Sequence, residues 1–342
     1  MQHPLSAGPL LNAKGELNEA GYATSLVKTY DRSAIKAGKT RIKEWDYYLI
    51  YNGSFGAALT IDDNSYMGMI SASFLDFEAQ KEKTVSPMFW LPMGKTNFPP
   101  SSKTGDVEKT MKGAYASIKH ENGGRRLICH LDKFDGDTPF DLNIFLFDEP
   151  RDSMVIATPF AEQKTAFYYN QKIIGMSAIG TVKCFGKTFT FELGDSFGLL
   201  DWGRGVWTHE NTWYWGGGQG LVEGHVVGFN IGYGFGDVTA ASENMIFIDG
   251  IAHKLDRLTF NIPQKDGKDD FMSPWTFTSS DGRFETSFTP VLDRAAYASV
   301  GPLLSDQHQV FGHMDGTLVL DDGSKITLKH FMAFAEKVHN KW

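Results

Sequence analysis

Short runs of aromatic and β-branched residues, broken by polar turn residues, recur at intervals of roughly ten residues along the chain. Two such runs, at 45–52 and 55–62, lie on either side of Gly53 and predict a β-hairpin. A late turn within residues 319–325 predicts another. Many short strands at this spacing are typical of an all-β sandwich or barrel, and not of alternating strands and helices.

One stretch near the end of the chain has a helical pattern instead. Residues 328–338 place Phe331, Phe334 and Ala335 on one helical face, with Val338 one turn further on. A polar stretch near 158–165 separates two β-rich halves of similar size. We therefore expect two antiparallel β-barrel halves, residues 1–160 and 161–342, with a short C-terminal helix in the second.

Composition narrows the range of functions. Hydrophobic residues make up 42% of the 342 residues and charged residues 22%, which is ordinary for a globular protein. There are 33 Lys and Arg against 41 Asp and Glu, a net charge of −8. A nucleic-acid-binding protein needs clustered basic residues, so we expect no nucleic-acid partner.

Cysteine usage and the N-terminal sequence bear on location. Cys129 and Cys184 have no CxxC spacing, so we expect two buried, free thiols. No charged n-region followed by an apolar stretch begins the chain, and no run approaches the roughly 20 apolar residues of a membrane span. These features predict a cytoplasmic protein without stable membrane insertion. The sequence does not predict an oligomeric state.

The first cluster of candidate functional residues spans 41–48. Strand alternation divides its side chains between two faces: Lys43, Trp45 and Tyr47 on one, and Glu44, Asp46 and Tyr48 on the other. One hypothesis is that Glu44, Asp46 and Tyr48 point into a barrel. The alternative is a solvated, charged face over an aromatic core.

The second cluster, at 199–215, contains four of the eight tryptophans: Trp202, Trp207, Trp213 and Trp215. Such rings either fill a barrel or line a pocket. Asp201 and Arg204 could form a bidentate ion pair, of structural or catalytic use. His209-Glu210 lacks the second histidine of an HExxH motif, so we expect no metal ion.

The third cluster joins Asn230, the glycine-rich stretch 232–236, Glu243 and Asn244. The glycines lack the GxxxxGK[ST] spacing of a phosphate-binding loop, and we expect no cofactor. Glycine at every second strand position allows a close approach of chain or ligand. Glu243 is the carboxylate that we expect to point into a cavity.

These carboxylates suggest acid–base chemistry. No GxSxG elbow and no Cys–His arrangement is visible, so nucleophilic acyl transfer is not favoured. Asp46, Asp201 and Glu243 lie instead among aromatic residues. Burial there would raise a carboxyl pKa and make a proton donor near neutral pH. The same chemistry serves protonation of an alkene or hydrolysis of a glycoside.

Six stretches, at 10–23, 41–48, 167–173, 200–215, 242–256 and 311–342, resemble the bacterial proteins grouped as domain of unknown function 2804. Asn170 and Lys172 lie on signature positions of that group. The group is similar in turn to the hydroxyneurosporene synthase and tocopherol cyclase proteins. This resemblance implies two lipocalin-like (calycin-like) barrels with a pocket where they meet, and hydration or cyclisation of isoprenoid double bonds.

The leading hypothesis is a pocket for a hydrophobic or amphipathic small molecule, with Asp201, Glu243 or Asp46 as the catalytic carboxylate. The predicted ligand-binding residues are Trp45, Tyr48, Asn170, Lys172, Trp202, Arg204, Trp207, Trp213, Trp215, Asn230 and Asn244. Two alternatives remain open at this point: a lipid carrier without chemistry, and a glycoside-directed enzyme with paired carboxylates.

Overall fold

The computed structural model describes residues 2–147, 149–301 and 303–341, and Trp342, which ends the last family-like stretch, lies outside them. These residues form 27 strands and two single 3-10 turns, Arg32–Ala34 and Lys39–Arg41. The strands up to residue 160 are β1 (Gly8–Pro9), β2 (Gly21–Ala23), β3 (Lys28–Thr29), β4 (Ile42–Tyr51), β5 (Phe55–Asp63), β6 (Met67–Asp76), β7 (Lys81–Val85), β8 (Met88–Trp90), β9 (Val107–Met111), β10 (Ala114–Glu121), β11 (Gly124–Asp135), β12 (Thr138–Phe147) and β13 (Met154–Phe160).

The remaining strands are β14 (Gln163–Cys184), β15 (Lys187–Phe191), β16 (Phe197–Val206), β17 (Glu210–Val222), β18 (His225–Tyr233), β19 (Met245–Ile248), β20 (Ile251–Lys254), β21 (Leu258–Asn261), β22 (Gln264–Lys265), β23 (Lys268–Asp269), β24 (Trp275–Ser279), β25 (Phe284–Val300), β26 (Leu303–Val319) and β27 (Lys325–Lys341). The predicted all-β class is confirmed. Both predicted hairpins are present, as β4–β5 and as β26–β27.

Two large, curled antiparallel sheets contain most of these strands. The path of the 14-stranded first sheet runs β7-β6-β5-β4-β16-β14-β12-β11-β10-β9, with β2, β8, β13 and β15 paired beside it. The second sheet has nine strands in the order β20-β19-β18-β17-β27-β26-β25-β24-β21. Neighbours in sequence are mostly neighbours in space, because short turns join antiparallel strands.

The chain passes from the first sheet to the second between β16 and β17. The predicted domain boundary at 160/161 therefore falls inside the first sheet, between β13 and β14. Sheet membership is not the same property as domain division, and the division into residues 1–160 and 161–342 stays a prediction.

The predicted C-terminal helix is wrong, because residues 328–338 lie within strand β27. This strand is central in its sheet, paired with β17 on one side and β26 on the other. Met332 and Phe334 pack in the larger core, while Phe331, Ala333 and Ala335 pack in the second-sheet core. A strand that is buried on both faces lacks polar alternation, so its apolar run imitates a helical pattern.

The larger core extends from the first sheet onto the second. It includes Trp215, Phe311 and Phe334, which lie on second-sheet strands. The two sheets thus pack against each other through apolar side chains, and this contact encloses the site described below. Cys129 and Cys184 are free and buried. In the described ranges, no helix has the length and apolar character needed to cross a bilayer.

Candidate functional site

Polar side chains from both sheets meet where the sheets face each other. Two cross-strand rows supply them: Lys172, Asp201 and Tyr47 in the first sheet, and Gln309, Glu336 and Trp215 in the second. Residues directly opposite one another on paired strands project to the same face. Each row therefore enters the space between the sheets as a unit.

A cavity of about 570 Å³ occupies this space. Its aromatic lining consists of Trp45, Tyr47, Tyr66, Trp90, Tyr168, Trp207, Trp213, Trp215 and Phe235. A mostly apolar wall with a few convergent polar groups is typical of a small-molecule site. The volume is in the range of such sites.

Lys172 and Asp201 form a buried ion pair in this cavity. The distance from Lys172 Nζ to Asp201 Oδ2 is 2.7 Å. Asn170 Nδ2 donates a hydrogen bond of 2.6 Å to Asp201 Oδ1. Lys172 Nζ also lies 3.8 Å from the ring centroid of Trp215, a cation–π contact. The carboxylate thus holds the ammonium against the opposite sheet.

Glu336 is a buried carboxyl group of the cavity whose surroundings suit proton transfer. Trp213 Nε1 donates to its Oε1 at 2.9 Å, and Gln309 Nε2 donates to its Oε2 at 3.0 Å. Burial raises the pKa of Glu336 to about 7, against the opposing effects of the Trp213 hydrogen bond and the Lys172 charge. A group with this pKa can donate or accept a proton near neutral pH.

Glu243 brings a second carboxyl group to the same cavity. Burial raises its pKa, while the Lys172 charge and a 3.2 Å hydrogen bond from Asn230 Nδ2 act in the opposite direction. A Cβ at Gly232 would lie 2.7 Å from Glu243 Oε1, so glycine leaves room for the carboxylate. Gly232 and Glu336 are paired with Trp215 from the two strands that flank β17, so the Glu243 carboxylate beside Gly232 and the Glu336 carboxyl group lie on opposite sides of that strand.

Trp45 forms part of the apolar wall because glycine stands opposite it. A Cβ at Gly203 would lie 1.9 Å from the Trp45 ring, so the indole can cross the strand only where no side chain is present. The Trp45 ring stacks on Tyr168 with a centroid distance of 6.0 Å and an interplanar angle of 12°. Burial, together with the nearby carboxylates Asp201 and Glu243, raises the pKa of Tyr168.

A family profile described as domain of unknown function (DUF2804) matches the chain over residues 2–342. The chain belongs to the DUF2804 family. The resemblance seen in the sequence motifs is thereby confirmed. No protein with a curated description is significantly similar to the chain.

Several solved structures are similar to this DUF2804 chain. An AttH-type protein from Nitrosomonas europaea is 12% identical, with a TM-score of 0.52 over 91% of this chain and 96% of that one. Kievitone hydratase from Nectria haematococca is 11% identical, with a TM-score of 0.46 over 93% and 97%. CghA, solved with Sch210972, is 10% identical, with a TM-score of 0.47 over 97% and 98%. The similarity to the AttH-type protein shows a shared fold.

About half of the predicted site residues of this DUF2804 protein line the cavity: Asp201, Glu243, Trp45, Lys172, Trp207, Trp213 and Trp215. The first two were predicted as catalytic and the others as ligand-binding. Their convergence follows from the rows described above, and their roles toward a ligand stay predictions.

Four predicted residues, Asp46, Tyr48, Trp202 and Arg204, lie outside the cavity lining. Arg204 Nη1 lies 2.9 Å from Asp46 Oδ1, so the predicted pair of Arg204 with Asp201 does not form. Positions 201 and 204 are three apart on β16, and a strand sends such residues to opposite faces. Tyr48 accepts a 3.1 Å hydrogen bond from Arg125 Nη1 on that other face.

The three predicted asparagines lie behind the lining and hold other groups in place. Asn170 donates to Asp201, as described. Asn230 Oδ1 accepts from Trp215 Nε1 at 2.7 Å, which fixes that indole beside Lys172. Asn244 Oδ1 accepts from the Gly232 amide at 2.7 Å. The three asparagine side chains therefore hydrogen-bond to other residues of the site and do not line the cavity themselves.

Sequence reasoning missed several polar residues of the lining, among them Asp62, Tyr168, Arg294, Gln309 and Glu336. Glu336 was missed because its segment has the helical pattern described above. Asp62 lies in a correctly predicted strand, and burial raises its pKa to about 7. In the part of the chain that the structure describes, no three His, Cys, Asp or Glu side chains are grouped so as to hold a metal ion.

Proposed function

We propose that this cavity binds an unsaturated, amphipathic small molecule and that the chain catalyses acid-assisted hydration, isomerisation or cyclisation of its double bond. Glu336 is the proton donor in this proposal. The observation that carries it is a buried carboxyl group, with its pKa raised to about 7, inside an aromatic cavity of about 570 Å³. A carrier without chemistry would not need such an acid.

The first step is proton transfer from the Glu336 carboxyl group to one alkene carbon. A C–H bond forms, the O–H bond breaks, and the π electrons of the alkene leave a positive charge on the neighbouring carbon. Electron-rich indole faces stabilise such a charge. Trp45, Trp207 and Trp213 supply those faces around the cavity.

The second step needs a base, and Glu243 is suitably placed for it. Its carboxylate would remove a proton from a neighbouring carbon in an isomerisation or cyclisation, or from an attacking water molecule in a hydration. Glu243, beside Gly232, and Glu336 lie on opposite sides of strand β17. A substrate that lies over Trp215 would be between these two carboxyl groups.

Asp201 and Asp46 have other roles in this proposal. Asp201 is paired with Lys172 at 2.7 Å and positions that ammonium. Asp46 is paired with Arg204 on the other face of the first sheet. Arg294, whose Nη1 donates to Gln309 Oε1 at 3.0 Å, lies at the polar wall and suits a carbonyl or carboxylate of the substrate.

The experiment is solvent-isotope incorporation, because it detects turnover whatever the product is. The protein is incubated in D₂O with separate pools of isoprenoid alcohols, unsaturated fatty acids and enones, and deuterium uptake is followed by mass spectrometry. We expect uptake into one pool, lowered at least about 100-fold by Glu336→Gln. Glu162→Gln is the matched control, since Glu162 is exposed in a turn.

The other outcomes favour other functions. Stoichiometric capture of a pool member without deuterium uptake would refute the catalytic proposal and support the lipid carrier. Aryl glycosides are tested in parallel. Their cleavage, with no deuterium uptake into any unsaturated pool, would support the glycoside-directed alternative. Uptake that is unchanged in Glu336→Gln would remove Glu336 as the proton donor.

A further inference from the structure

Two segments without charged residues supply part of the cavity lining. Residues 84–94 and 295–305 contain no Asp, Glu, Lys or Arg. At the chain average of 22%, these 22 residues would include about five charged ones. Met88 and Trp90 of the first segment and Ala298 and Leu304 of the second also line the cavity. We call the described residues of these two segments, 84–94, 295–301 and 303–305, the rim.

The rim exposes large apolar side chains to solvent. Trp90 is 70% exposed, Leu91 63% and Met88 49% in the first segment, and Tyr297 is 71% exposed in the second. Large apolar side chains exposed together beside a pocket mark a surface that contacts a partner. Tryptophan and tyrosine in particular are enriched where proteins meet the headgroup region of a bilayer.

Hydrogen bonds fix the backbone at Leu91 and Met93 in the first segment. The Leu91 amide donates to the Tyr66 carbonyl at 3.0 Å, and the Met93 amide donates to the Ser65 carbonyl at 3.1 Å. Leu91 and Met93 both have a φ of 52°, in the left-handed region that residues with a Cβ rarely adopt. The exposed side chains of Leu91 and Met93 therefore stand on a hydrogen-bonded backbone.

Positive charge borders the first segment, in a chain whose net charge is −8. Lys95 is exposed in the turn that follows it. Lys109 Nζ lies 3.9 Å from the ring centroid of Phe89, which belongs to the segment. An apolar patch with lysines at its edge matches a lipid surface, which offers an acyl region below negatively charged headgroups.

We propose that the rim docks the mouth of the cavity onto an anionic lipid bilayer, with Trp90 and Leu91 entering the boundary between headgroups and acyl chains. An apolar ligand then passes from the bilayer into the cavity without crossing water. This inference goes beyond the proposed reaction and does not depend on Glu336, so each can fail separately.

The experiment is flotation of the full chain with vesicles. One set contains phosphatidylcholine alone, and the other includes about 30 mol% phosphatidylglycerol. The rim variant is Trp90→Ser with Leu91→Ser. The matched control is Leu221→Ser with Ile251→Ser, because these side chains are 47% and 40% exposed outside the rim. Circular dichroism checks that each variant is folded.

We expect the wild-type chain to float with the anionic vesicles and to partition less onto neutral ones. The rim variant should partition at least about tenfold less, since two large apolar side chains no longer leave water, and the control should match wild type. Absence of binding to anionic vesicles would overturn the proposal, as would equal binding by the rim variant. Equal partition onto both compositions would overturn the assignment to an anionic surface.

Discussion

Glu336 should make the stability of the protein depend on pH in a direction opposite to that of most carboxyl groups. The pKa of a glutamate in an unfolded chain is about 4.5, and burial raises that of Glu336 to about 7 in the folded protein. Below pH 4.5 both states hold the proton. Between these values the unfolded chain releases its proton and the folded chain keeps it, so stability falls as pH rises.

The size of this loss follows from the two pKa values. One pKa unit corresponds to about 1.36 kcal/mol, so burying the ionisable group costs about 1 kcal/mol at pH 5 and about 3 kcal/mol at pH 8. Glu336→Gln has nearly the same shape and does not titrate. The free energy of unfolding of the variant, minus that of wild type, should therefore increase by about 2 kcal/mol over this range.

Urea unfolding followed by tryptophan fluorescence at pH 5, 6, 7 and 8 measures this difference directly. Other titrating groups, including Asp62 and Glu243, are present in both proteins and cancel in the comparison. Glu162→Gln, at an exposed position, is the matched control for the substitution itself. A difference between Glu336→Gln and wild type that is constant with pH, or that grows toward pH 5, would refute the reasoning.

Three further predictions test other parts of the site. Lys172→Met should lower the free energy of unfolding by about 3–5 kcal/mol in urea titrations, because it leaves Asp201 buried without its partner. The double variant with Asp201→Asn should recover most of that loss, and no recovery would argue against the pair. Gly203→Ala should cost about 1–3 kcal/mol in the same assay, since its Cβ would overlap the Trp45 ring, and an unchanged unfolding midpoint would contradict this. Native mass spectrometry of freshly purified protein, followed by solvent extraction, should identify a co-purifying amphipathic molecule, whereas a bound sugar would favour the glycoside-directed alternative.

The strand pattern was readable from the sequence because most strands alternate or end at clear turns. The hairpin β4–β5 is an example, with turn residues between two aromatic and β-branched runs. Strand β27 could not be recognised in this way. Its two faces enter two different cores, so its sequence is apolar at every position from Phe331 to Ala335.

For the candidate site residues, the sequence could predict only which side chains of one strand share a face. Alternation correctly separated Trp45 and Tyr47, which line the cavity, from Asp46 and Tyr48, which do not. The sequence offered no means of deciding which of these two faces the cavity would occupy. That choice depends on where the second sheet packs, and this is a property of the whole fold.

The sequence could not predict which side chains on neighbouring strands pair with each other. Asp201 and Arg204 are close along the chain, and their opposite charges suggested a pair, yet the pleat of β16 separates them. Asp201 is instead directly opposite Lys172, because of the register between β16 and β14. Glu336 is directly opposite Trp215, because of the register between β27 and β17. A shift of one residue in either register would turn one of these side chains away from the cavity. The chemistry proposed for the site therefore depends on strand register as much as on residue type, and register is set by contacts spread over both sheets.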